Sequence, residues 1–164
     1  MDQLLGSRPG GQLLFLGGRF TEEASDLDFG FPSIKKLSKQ YGNTITSTLW
    51  RYVEQAHHDL PMVGVISDHL HRPSAEFDPQ NPCRYCIQSP AFRDRFSRLS
   101  EKQLFRAIRG YCTLRSRGPI GSDSVILKDD NDERHLFQFE SFSNGYDVLT
   151  VGRYERAFRV SVAV

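Results

Sequence analysis

Two turn signals in the last third of the chain constrain the fold more than any other feature. Residues 129–132 read Asp-Asp-Asn-Asp, and Asn144-Gly145 follows one strand's length later. Acidic and amide side chains turn the backbone by bonding to their own main chain. Asn-Gly suits a tight type I′ hairpin, where both central residues need positive φ. Around these turns lie three segments of strand character, 124–128, 134–142 and 147–153. In the middle one His135, Phe137 and Phe139 alternate onto one face. An antiparallel meander follows.

Upstream of it the pattern is helical. Ser33 is placed to cap a helix whose apolar positions Ile34, Leu37 and Tyr41 recur at helical spacing, with Gly42 just past its end. A second helix runs from Thr44 or Thr46 to Gln55 with Ile45, Leu49, Tyr52 and Val53 as its apolar stripe. The pair has the outline of a helix-turn-helix. Residues 61–67 form a short apolar run, read as a buried strand, and 68–82, with three prolines, read as a loop. Ser89-Pro90 starts a helix with Phe92, Phe96 and Leu99 on one face. Ser100 and Gln103 form a capping box for the next, which carries Leu104, Ile108 and Tyr111. Residues 118–121, Gly-Pro-Ile-Gly, read as a break before the first meander strand. The fold class expected is α+β, divided into a flexible lead (1–11), a helix-turn-helix-like unit (12–60) and an antiparallel-sheet domain with packed helices (61–164).

Composition narrows the function. With 164 residues, 38% of them hydrophobic, the chain can bury a sizeable core. A net charge of +1 argues against a protein that coats nucleic acid along its whole surface. Charge is segregated, however: residues 84–117 hold nine Lys or Arg against Asp94 and Glu101, and 121–147 are mainly acidic. Three cysteines and no apolar leader speak against a secreted disulfide framework. The apolar runs are far shorter than the roughly 20 residues of a membrane span. A cytoplasmic protein with no membrane partner is expected.

The motif at 42–54, Gly-Asn-Thr-Ile-Thr-Ser-Thr-Leu-Trp-Arg-Tyr-Val-Glu, together with 12–24, Asn81-Pro-Cys-Arg-Tyr85, Ser89-Pro-Ala-Phe92 and His135-Leu-Phe-Gln-Phe-Glu140, resembles the ImmA/IrrE family of metallopeptidase regulators. The likeness extends from about Gln12 to the hairpin after Asn144. It implies a helix-turn-helix-like segment followed by a GAF-like sensor, the region that in long members comes after a zinc peptidase domain acting on a repressor. No His-Glu-x-x-His occurs in this sequence, so peptidase chemistry does not carry over. The implied function is a non-enzymatic regulator or sensor of bacterial transcription or stress response. An alternative is the sensor portion of a zinc metallopeptidase whose catalytic domain lies elsewhere.

Three residue sets carry the candidate chemistry. As a recognition helix, the second helix would bring Thr44, Thr46, Ser47 and Arg51 to DNA. A pocket between sheet and helices would use Phe137, Phe139 and Tyr146, with Arg106 and Arg109 facing an anionic ligand. His69, His71, Cys83 and Cys86 offer two imidazoles and two thiolates, a donor set for zinc in a zinc-stabilised interaction module. Without that site no cofactor is expected. Core packing and solvated surface are the competing readings for each set. The partners implied are a small-molecule or protein signal, DNA, or a second copy of the chain as a homodimer.

Overall fold

A strand buried at every position must be covered on both sides, and Met62–Ser67 is such a strand. The computed structural model, which describes residues 18–161, shows what covers it. Met62 and Ile66 point into one apolar cluster, Val63 and Val65 into another, as alternation along a strand requires.

The described elements are α1 (18–26), α2 (Phe31–Tyr41), α3 (Ile45–Gln55), β1 (Met62–Ser67), β2 (Cys83–Gln88), α4 (Pro90–Arg95), α5 (Glu101–Arg109), β3 (Gly118–Lys128), β4 (Arg134–Ser143) and β5 (Val148–Ala157). The fold is α+β. The strands form one antiparallel sheet in the order β2-β1-β5-β4-β3. Helices α1–α3 cover one face through Phe20, Ile34, Leu37, Leu49 and Val53. Helices α4 and α5 cover the other through Phe92, Leu104 and Ile108. Among the described residues no helix is long and apolar enough to cross a membrane.

Local chemistry explains most element ends. Thr44 caps α3 by accepting the Ser47 amide, Ser89 caps α4, and Ser100 and Gln103 form the capping box of α5. Gly42 closes α2 in the left-handed region. Gly152 answers a different need. It faces Phe139 across the β4–β5 ladder, and any Cβ there would run into the Phe139 ring.

The structure corrects the sequence reading at five places. The Asn144-Gly145 turn is a four-residue loop, 144–147, with Gly145 but not Asn144 at positive φ, and not a type I′ turn. Helix α2 starts at Phe31, so Ser33 lies inside it and donates its hydroxyl to the Asp28 carbonyl. Residues 118–121 do not break before the meander; they begin β3 and pair with Ser143, Phe142 and Ser141 around a bulge. Leu99 lies beyond α4, and Tyr111 lies beyond α5, with its hydroxyl bonded to Ser141 Oγ. Residues 1–11 lie outside the described residues, as do residues 12–17.

Candidate functional site

The start of α2 is built unlike the other helix ends. Its N-cap is Gly30, at φ 134°, and no side chain of its own segment caps it. The Phe31 amide donates instead to Glu140 Oε1 on β4, 3.1 Å away and 109 residues along the chain. Glycine suits this position, because L side chains rarely adopt such a φ, and a Cβ would also crowd the same carboxylate. Burial pushes the Glu140 carboxyl above its ordinary range, against the opposing pull of the Phe31 amide.

Around Glu140 lies a cleft of about 420 Å³ between α2 and the β3–β4 end of the sheet. Phe31 and Phe142, stacked at 5.4 Å, supply its apolar wall together with Pro32 and Pro119. Lys35, Lys36 and Lys39 form its rim. They continue a stripe from Pro32 along the exposed face of α2, opposite the buried Ile34, Leu37 and Ser38. Lys35 Nζ lies 5.3 Å from the centre of the Phe142 ring. None of the three lysines has an acidic partner within 4 Å among the described residues. The cleft therefore offers positive charge at its mouth, apolar surface on its wall and one carboxyl inside. That combination suits an anionic ligand with an apolar body and a polar group able to reach Glu140.

The residues expected to form a ligand pocket are not brought together. Phe137 and Phe139 are fully buried in the cluster beneath α4 and α5. Tyr146 is 85% exposed at the β4–β5 turn. Arg106 and Arg109 lie on the outer face of α5, where they line a separate cleft with Phe77, Phe105 and Lys102. The separation follows from alternation. Residues that share the core face of β4 cannot also meet side chains on the solvent face of α5.

Thr44, Thr46, Ser47 and Arg51 do come together, in a groove of about 480 Å³ between α3 and the edge strand β2. Its walls include Trp50 and Tyr85, whose rings meet edge to face at 5.3 Å. Thr44 is engaged as the α3 cap, and Arg51 lies flat over Phe20 at 4.3 Å while donating to Gln55 Oε1. These side chains line a concavity instead of standing out from the helix.

The His-Cys quartet does not converge, which corrects the zinc alternative. His69 Nε2 bonds the Arg115 carbonyl, and His71 Nε2 bonds the Cys112 carbonyl. A bulge at Arg84 puts Cys83 and Cys86 on the α5 face of the sheet. Burial, aided by the charge of Glu101, pushes their thiols up to about 12 and about 11. Among the described residues the one group of three with ligand atoms in reach of each other is Asp129, Glu133 and His135. It has a structural use. His135 Nε2–H donates to Asp129 Oδ2 at 2.8 Å, and the other Asp129 oxygen accepts the Asn131 and Glu133 amides, which locks the β3–β4 turn. Burial pushes the Asp129 carboxyl up, but the His135 bond and those amides outweigh it and hold it below its ordinary range.

Sequence reasoning missed Glu140, Phe142 and the α2 lysines. The lysine stripe was visible in the helical period. So was a helix entered through Phe-Gly-Phe-Pro with no capping side chain, which asks for a partner from elsewhere. No protein-family model matches this chain, and no curated protein matches it. The likeness to ImmA/IrrE regulators rests on the residues quoted above alone.

Proposed function

We propose that this chain is a non-enzymatic sensor of the ImmA/IrrE regulator type, in which a small anionic ligand occupies the α2 cleft. The sheet with its helices is read as the GAF-like sensor domain, and the helical pair as the element it controls in bacterial transcription or stress response. The observation that carries this reading is the bond from Phe31 to Glu140. The start of α2 hangs on a carboxyl that is also part of the cleft. A ligand that bonds Glu140 competes with the Phe31 amide, so occupancy and the position of α2 are thermodynamically linked. α3 moves with α2 because the two share one core. The reading holds equally for a sensor acting alone and for one joined to a zinc peptidase in a longer chain.

The test is titration of the purified protein with a panel of alkyl and aryl carboxylates, followed by Trp50 fluorescence and by thermal shift. Trp50, the single tryptophan, sits on α3 and reports its movement. Saturable binding is expected, and K35E/K39E removes it. Binding unchanged in that variant, or no saturable binding by any member of the panel, overturns the site. Sequence-specific proteolysis by the purified chain overturns the non-enzymatic assignment.

A further inference from the structure

On the opposite side of the sheet, α5 presents a second cleft that the sensor reading does not use. Its apolar side, Leu104 and Ile108, is buried. Its outer face carries Lys102, Arg106 and Arg109 at i, i+4 and i+7, one above the other. The loop 77–82 folds beside them, bringing the Phe77 ring to 5.7 Å from that of Phe105. Pro79 and Pro82 line the same cleft, which encloses about 240 Å³, and their fixed φ stiffens the loop.

The two arginines of this cleft form no ion pair among the described residues, and Lys102 donates to the Gln80 side chain. Asp78 feels the Lys102 charge but forms no ion pair with it within 4 Å. Its carboxylate is turned to the Gln80 amide and the Asn81 side chain. Glu101, on the same helix, acts on the thiols of Cys83 and Cys86. The helix dipole accounts for arginines in the last turn of α5, but it disfavours a lysine in the first turn. Lys102 is therefore placed against the local field, beside the two arginines and the aromatic pair.

We infer that this cleft binds a phosphate attached to a planar ring, that is, a nucleotide unit, either free or within a single strand. Arginine forks match phosphate oxygens bidentately, and lysine adds a point charge. The half-buried Phe77 and Phe105 offer a base a ring to stack on, the pairing of aromatic and cation that single-strand binders use.

The experiment uses the full chain, fluorescein-labelled oligo(dT), AMP and inorganic phosphate. Fluorescence anisotropy is expected to show salt-dependent binding of the oligomer, with R106E/R109E weakening it at least tenfold and K35E/K39E leaving it unchanged. Displacement of the oligomer by AMP assigns the site to a nucleotide unit as such; binding of the oligomer without displacement by AMP assigns it to the strand. F77A is expected to remove the preference for AMP over inorganic phosphate while the protein keeps its melting temperature to within a few degrees. Binding unaffected by R106E/R109E, no binding at all, or displacement of the oligomer by inorganic phosphate as readily as by AMP overturns the inference.

Discussion

The two clefts lie on opposite faces of one sheet and are both rimmed by three cations, yet they are built on different principles. The α2 cleft is spliced into the fold. Its floor is core, its inner carboxyl holds the start of a helix, and its glycine sits at a φ that strains any side chain. The α5 cleft is laid on the surface. Its arginines form no ion pair among the described residues, and its aromatic rings are half-buried at the edge of the core. A ligand in the first must disturb contacts that the fold depends on, and so it can transmit. A ligand in the second disturbs none and can only anchor. The difference teaches that coupling requires shared atoms, and charge alone does not supply them.

Truncating the aromatic wall on each side is the hardest test of this contrast. Phe142 is buried and stacked on Phe31, so Phe142→Ala is expected to cost about 3 kcal/mol, the range for an aromatic lost from a core. Phe105 is only partly buried, and Phe105→Ala is expected to cost about 1 kcal/mol. Urea unfolding of the two variants decides it. Equal losses would mean that both clefts are core, or that neither is.

The hinge at the α2 start predicts a coupling. Glu140→Ala leaves the Phe31 amide without its acceptor and is expected to cost about 1–2 kcal/mol. Gly30→Ala forces a Cβ into the Glu140 carboxylate and adds strain at positive φ. In the double variant the collision is gone, so the two losses are expected to sum to less than their separate values. Strict additivity in a double-mutant cycle would show that Glu140 and Gly30 do not meet.

Acid separates the two faces by sign. The folded Glu140 carboxyl titrates above its ordinary 4.5, so its stabilising contribution is complete below that value and is lost as pH rises through the folded one. The Asp129 carboxyl titrates below its ordinary 3.8, so its contribution is present above that value and is lost as pH falls through the folded one. At pH 7 Glu140→Gln is therefore expected to melt no lower than the parent, and Asp129→Asn lower. The Glu140 difference shrinks as pH falls toward 4.5, whereas the Asp129 difference persists there and shrinks only below 3.8. Melting curves from pH 3 to 7 that gave both differences the same sign would remove the distinction between the faces.

What was legible in the sequence follows the same division between local and long-range contacts. The caps at Thr44, Ser89 and Ser100, the end of α2 at Gly42 and the hairpin at Asn144-Gly145 all satisfy main-chain groups within a few residues, so their chemistry is written side by side. The α2 start was misread at Ser33 because its true partner, Glu140, lies more than a hundred residues away. The β3 start was missed because a Gly-Pro pair breaks a helix and a strand alike, and only the partner β4 decides which element begins there. Among the site residues, Arg106 and Arg109 share a cleft, but not with the companions expected of them. Phe137 and Phe139 lie on the buried face of β4, whereas Phe77 reaches the arginines from a loop that no periodicity predicts.

The smallest expected effect concerns the rims themselves. All six cations are exposed, and none forms an ion pair within 4 Å among the described residues; Lys102 donates to Gln80 and Lys35 lies over Phe142. Reversing charges at such positions changes stability by about 0.5 kcal/mol at most. K35E/K39E and R106E/R109E are therefore expected to melt within a few degrees of the parent and of each other. Reversal at Arg106 and Arg109 is slightly the more harmful, because it places acid at the negative end of the α5 dipole. The stability test matters because it makes the binding tests readable. With the fold intact, each pair of reversals is expected to abolish binding in its own cleft and leave the other unchanged. Hydrogen exchange at the α2 amides is expected to change on filling the α2 cleft and to stay constant on filling the α5 cleft. Exchange that responded to either ligand alike would show that the surface cleft is also wired into the fold, and the comparison would fail.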